Sequence, residues 1–409
     1  MIVRSAFKCM TCDQPHVVRI GMGQEEHQSH RFPCRGCGEE MVVALHVDYT
    51  NVSHGIEAVE NAEVMEREAP DAPIVNVHAN FVIPEAERFT DRTFPHLAQM
   101  RRELTAAIRD GSLISASDIT EENAGSRPYR RPDFANEWKM LKKAWSLHGR
   151  NRTKLSDRQL STASDEFYAN DPLKDIYDWV WRFTMFLGAT EYQRRLMDIM
   201  SVYQSIDPNR MKPLLEHYGR ELVGERAKRY FEIIRDYFSA WDEFSQVHFS
   251  IGKGVPVEGK VVASSGFHGA KMFYGNAFEA FAASVDFLAF TNNVRSGREW
   301  NEFQTIPIET YLKSDKAARF DAFAACPEFS ALCEERDNQL RNASHHGSFD
   351  FNAETGLITY RTGKGNQGPE QQISYAEYLG RCSRLFFQAI TLLRIELLIC
   401  QATGTAYPV

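Results

Sequence analysis

"RDNQLRNASHHGSFDF", Arg336 to Phe351, sets an arginine, an asparagine, two adjacent histidines and a glycine just ahead of an alternating Phe-Asp-Phe. Upstream, Glu328 to His345 has the spacing of one helix, and Gly347 stands where a helix C-cap glycine is expected. Downstream, "FDFNAETGLITYR" alternates as a β-hairpin around "NAETG", after which "ISYAEYLGRCSRLFF" opens a long helix. Taken alone the stretch is a helix end, with two histidines complementing the negative end of the dipole.

The surrounding chain is predominantly helical in pattern. Apolar residues recur three or four apart over Phe94 to Asp110, Asn136 to Leu147, Leu173 to Tyr203, Arg220 to His248, Ala270 to Thr291, Glu309 to Ala325 and Tyr375 to Gln401. The last of these is apolar nearly all round, so it is expected at the centre of a bundle or along an oligomer seam. Its most apolar run, from Leu385, is interrupted by Gln388, Arg394 and Glu396, and residues 1 to 20 have no apolar signal core. A cytoplasmic protein without a membrane partner is expected. At 409 residues, 43% of them hydrophobic, two or three domains are expected.

Four of the eight cysteines fall in the first 37 residues, as "CMTC" (Cys9, Cys12) and "CRGC" (Cys34, Cys37). Two such knuckles present four thiolates, the tetrahedral set that a structural zinc ion takes, and the segments "HVVRIGMG" and "EEMVVALHV" read as strands. A β-rich zinc ribbon over 1–47, with one structural Zn2+, is therefore expected. Disulfides are the rival reading, which a cytoplasmic chain disfavours. His16, His27 and His30 lie nearby and are expected to be ordinary surface histidines. A closed four-cysteine site leaves no position for substrate, so docking of a trigger or partner protein suits the ribbon at least as well as nucleic acid does. Its balanced charge argues against a DNA-binding regulator led by this module.

The net charge of −8 is concentrated. Asp48 to Asp91 holds ten acids against Arg67 and Arg88, with prolines at 70, 73 and 84, and reads as an acidic linker over 48–92. Arg127 to Arg158 holds ten bases against Asp133, Glu137 and Asp157, interleaved with Tyr129, Phe134, Trp138 and Trp145. Lys142, Lys143, Arg150 and Arg152 are candidate nucleic-acid contacts there. The bland alternative is a solvated helix face whose tryptophans are core. "GKGNQG", Gly363 to Gly368, matches a dinucleotide fingerprint by letter but lacks the βαβ setting, and it is expected to be a turn. No Walker A loop, H-E-x-x-H or G-x-S-x-G is present.

A polar helix ending in Arg-Asn-x-x-x-His, then glycine, a short hairpin, a Ser-Tyr-x-Glu-Tyr helix start and a long apolar helix resembles the HEPN superfamily. The resemblance covers about Arg220 to Gln401. It implies a C-terminal helical bundle with a small hairpin, placed at 206–409, and leaves unassigned the middle region over 93–205, which is helical by its own pattern; the fold class is mainly α. It further implies a metal-independent RNA endonuclease of toxin or antiviral-defence type, acting as a homodimer, with Arg341, Asn342 and His346 catalytic and His345 in reserve. The RNA supplies its own 2′-hydroxyl nucleophile, histidine moves protons near neutral pH, and arginine offers a planar fork of donors to phosphate oxygens. A regular helix puts His345 about 40° from Arg341 and His346 about 140° away, so a departure at Gly347 is needed to bring His346 round. The alternative implication is a non-catalytic nucleotide-binding or protein-interaction adaptor, with the ribbon as its docking piece.

Overall fold

The computed structural model describes residues 2–22, 26–48, 51, 53–77, 83–84, 134–264, 266–352, 355–363 and 367–409. The expected helix Phe94 to Asp110 and residues 127–133 of the basic segment lie outside them. The described chain is mainly helical, with a β-rich N-terminal region and a long C-terminal helix.

In the N-terminal region β1 (Ile2–Cys9) pairs antiparallel with β2 (Pro15–Gly21), and β3 (His27–Pro33) with β4 (Glu40–Asp48). Phe7, Val18, Ile20, Phe32, Met41, Val43 and Leu45 close into one small core. The segment expected to be a linker supplies three further strands. β5 (Ser53–Glu60) extends β4, β6 (Ala62–Met65) adds to β1, and β7 (Ile74–Val77) runs parallel to β2. The sheets have the orders β6-β1-β2-β7 and β3-β4-β5. The features that suggested a linker belong to sheet edges. β5 and β6 are edge strands, where acidic side chains discourage further pairing, and Glu63 meets Lys8 at 2.9 Å. Pro73 leads into β7, its carbonyl accepting from Val17 N (3.0 Å). A two-residue strand, β8 (Ile83–Pro84), pairs with β9 (Lys260–Val261) in the helical body.

That body runs through α1 (Phe134–His148), α2 (Thr153–Phe167), α3 (Ile176–Leu187), α4 (Thr190–Gln204), α5 (Pro208–His217), α6 (Val223–Ser239) and α7 (Trp241–Gly252). After β9 come α8 (Phe267–Ala270), α9 (Phe273–Ala282), α10 (Asp286–Arg295), α11 (Ile308–Lys313), a 3-10 turn at Lys316–Phe323, α12 (Pro327–Leu332) and α13 (Asn338–His345). A three-stranded sheet, β10 (Asp350–Asn352), β11 (Leu357–Arg361) and β12 (Glu370–Ser374), leads into α14 (Tyr375–Thr403). The hairpin expected after the histidines is thus β10–β11; between β11 and β12, Gly368 N donates to Thr362 O (2.7 Å), and the middle of "GKGNQG" lies outside the described residues.

One hydrophobic core extends from Phe134 to Cys400, without a break at residue 205, so the middle and C-terminal regions pack as one body. α14 is its axis. Ser374 caps the helix by accepting from Glu377 N (3.1 Å), and Gly404, at φ +69°, ends it. By length and composition α14 would suit a membrane, but 83% of its most apolar window is buried within the protein. The three polar residues that interrupt it are all engaged. Gln388 exchanges hydrogen bonds with the Glu335 backbone (2.7 and 3.1 Å), and Arg394 donates to Gln193 Oε1 (2.7 Å) while covering the Trp181 ring. Glu396 accepts from Tyr218 and Tyr230 (2.7 and 2.8 Å).

Candidate functional site

Arg341, Asn342 and His345 lie on α13, a helix of only eight residues, and His346 is its C-cap. So short a helix is marginal on its own, and the sequence compensates at both ends. Asp337 caps the start, accepting from Gln339 N and Leu340 N (2.8 and 2.9 Å). Gly347, at φ +63°, closes the end, with Ser348 N donating to Ala343 O (2.9 Å) and Gly347 N to Ser344 O (3.0 Å). Between the caps, buried Ser344 donates to Lys271 O (2.7 Å) and accepts from Gly275 N (3.0 Å). α9 comes so close here that a Cβ on Gly275 would stand 2.6 Å from His345 N. Below Asp337, Arg381 of α14 bridges Glu335 and Asp337 at 2.8 and 2.9 Å.

On the exposed side, Arg341 Nε lies 2.9 Å from Glu279 Oε1, and its guanidinium reaches Asp315 at 3.7 Å. Nη1 donates to Asn342 Oδ1 (2.7 Å), and the guanidinium covers the Phe278 ring. His345 lines an open groove of about 500 Å³ between α6, α9 and the 3-10 turn. Lys228, Arg229, Arg235 and Lys316 line it as well, matched by Glu225, Glu232, Asp236 and Glu279. Lys316 is half-buried; burial pushes its pKa down, with Arg319 adding to the effect. His346 is exposed, its ring 5.6 Å from that of His345, and, like Arg341 and Asn342, it is not part of the groove lining. His346 closes the helix at φ −88° and ψ 0°, its N donating to Asn342 O (3.0 Å). Glu279 was not singled out from the sequence. The available signal was that it is the one charged residue in the otherwise apolar "FYGNAFEAFA" of α9.

Lys142, Lys143, Arg150 and Arg152 are all exposed, on α1 and the turn after it. The aromatics between them do not share that surface. Phe134, Trp138 and Trp145 are buried, with Trp138 stacked on Phe183 and Phe238, so they are core.

The four N-terminal cysteines come together from the β1–β2 turn and the β3–β4 turn, all four sulfurs within 4.8 Å of one another. Cys9 Sγ lies 3.8 Å from Cys37 Sγ, and Cys12 Sγ 3.5 Å from Cys34 Sγ. Those separations match sulfurs placed around one ion, since a tetrahedron with metal–sulfur bonds of about 2.3 Å has edges of about 3.8 Å, whereas a disulfide needs about 2.05 Å. The cluster suits a metal ion and is compatible with structural zinc. Gly36 lets the knuckles approach; a Cβ there would stand 3.1 Å from Cys12 Sγ. His16 is not the surface residue expected. It is buried, which pushes its pKa down, and its Nε2 accepts from Arg35 N (3.0 Å) beneath the second knuckle.

No family model, no curated protein and no solved structure matches the chain.

Proposed function

We propose that the helical body is an RNA endonuclease of the HEPN kind, a homodimer of toxin or antiviral-defence type, and that the four-cysteine module holds a structural zinc and docks a trigger or partner. The observation that carries this reading is the seating of Arg341, Asn342 and His345 on one doubly capped helix at the edge of a charged groove. RNA enters along Lys228, Arg229 and Lys316, whose charges draw the phosphate backbone. A phosphate displaces exposed Asp315 from Arg341, while Glu279 keeps the guanidinium oriented. His345 takes the proton of the 2′-hydroxyl as it attacks the adjacent phosphorus. His346, at the rim, delivers a proton to the leaving 5′-oxygen, and Arg341 neutralises the charge that builds on the phosphorane. The products are a 2′,3′-cyclic phosphate and a 5′-hydroxyl. The substrate supplies the nucleophile, so this chemistry asks for no catalytic metal.

A second reading, a non-catalytic nucleotide-binding or protein-interaction adaptor, is favoured by the same ion pairs: Arg341 already faces two carboxylates without substrate. Cell growth and RNA integrity on expression, together with cleavage of end-labelled RNA and DNA in excess chelator, separate the two. The wild type should cut RNA and spare DNA, and Arg341→Ala should lose on the order of 10²-fold or more in rate. Robust cutting by a folded His345→Ala, His346→Ala double variant would remove the two histidines as the catalytic groups and return this stretch to a helix end.

A further inference from the structure

β3 and β4 carry a second pair of histidines, remote from α13 and at the far end of their ladder from the cysteine turn. His27 and His46 are direct partners in the antiparallel register, and both are exposed. Their Nδ1 atoms lie 3.1 Å apart, with ring centroids at 4.5 Å and planes inclined by 40°. In a straight N–H···N hydrogen bond both ring radii would add to the nitrogen separation, and the centroids would stand more than about 5 Å apart. The rings are inclined instead, and a separation of 3.1 Å is also the spacing of two nitrogen ligands on one ion. An ion about 2.05 Å from each nitrogen would subtend an angle of about 98°, between the octahedral and tetrahedral values.

Glu57 on β5 completes the arrangement. Its Oε2 lies 3.1 Å from His46 Nε2. An ionised carboxylate only accepts, so that nitrogen carries the proton and Nδ1 presents its lone pair toward His27. A ring held this way by a carboxylate is how metal-ligating histidines are commonly oriented.

We propose that His27 and His46 form a surface site for a divalent transition ion of the imidazole-preferring kind, zinc, nickel or copper, with Glu57 as positioning residue and water filling the remaining positions. Binding replaces the hydrogen bond between the two Nδ1 atoms, the His27 proton moving from Nδ1 to Nε2. The site is separate from the thiolate cluster in ligand type and place.

Untagged full-length protein, its thiolate site loaded with zinc and checked by metal analysis, is titrated calorimetrically with Ni2+. The wild type should take up one Ni2+ per chain in the micromolar range. His27→Ala and His46→Ala should each weaken binding at least tenfold, and Glu57→Gln should weaken it by roughly tenfold with the stoichiometry kept. All three side chains are exposed, so circular dichroism should be unchanged. Absence of uptake by the wild type up to millimolar Ni2+, or equal uptake by the His27→Ala, His46→Ala double variant, would overturn the proposal.

Discussion

His248 is wholly inside the helical body, where its Nε2 faces Leu187 O at 3.2 Å and its Nδ1 faces Tyr237 Oη at 3.0 Å. A carbonyl only accepts, so Nε2 carries the proton and Tyr237 donates to Nδ1; the ring is neutral and both nitrogens are used. Burial pushes its pKa down to about 3. Between that value and about 6.5 the unfolded chain binds more protons than the folded one. This contribution to stability is therefore full above about pH 6.5 and falls as pH drops, by roughly 2 kcal/mol between pH 6.5 and 5. Glu243 works in the opposite sense. Burial pushes it up to about 7 despite donors from Tyr375, Gly266 and Gln246, so its contribution is full below about pH 4.5 and lost as pH rises through 7. Urea unfolding at pH 5 and 7 should show His248→Gln losing less stability on acidification than the wild type; parallel behaviour would remove His248 as the cause.

At the scale of elements, the N-terminal strands enclose a core of little more than a dozen buried side chains, too small to fold without a metal to bind its turns. Chelation should therefore melt the β signal in circular dichroism at low temperature while the helical signal keeps its own, higher transition. Retention of both in metal-free protein would show that the strands stand alone. The two cysteine knuckles were legible because their spacing is local. β5 to β7 were not, because edge strands carry the charges and prolines that also mark linkers, and only their pairing with β1, β2 and β4 tells them apart. Helix breaks were hidden for a related reason. Glu328 to His345 reads as one helix, yet the chain leaves helical form after Leu332. There Glu335 is drawn into hydrogen bonds from Tyr274, Arg381 and Arg384, residues distant in sequence. The side of α13 that carries Arg341 and His345 follows from helical spacing alone. Its partner Glu279, on another helix, does not.

The whole helical body is tied across its centre by a buried ionic cluster. Arg226 of α6 reaches Asp286 of α10 and Glu396 of α14, and Glu396 also takes hydroxyls from Tyr218 and Tyr230. Burial pushes the Glu396 pKa up, and Arg226 opposes that rise. Arg226→Met would leave two carboxylates facing each other in the core, and should cost about 3–5 kcal/mol in urea unfolding. A loss below about 1 kcal/mol would mean that the cluster relaxes or admits water.

α14 comes after every other element of the helical body in chain order, yet α3, α4, α6, α7 and α9 all pack against it. Synthesis runs the other way from assembly. While the chain is being made, the earlier helices emerge with apolar faces that have nothing to close on, and α13 emerges without the Arg381 bridge or the Tyr378 contact that seat it. The seat of the helix that carries His345 is complete only once Tyr378 and Arg381 have emerged and α14 can pack. For the activity proposed above, a nascent chain is harmless to the message it is being read from, and the ability to cut RNA arrives in a single late step.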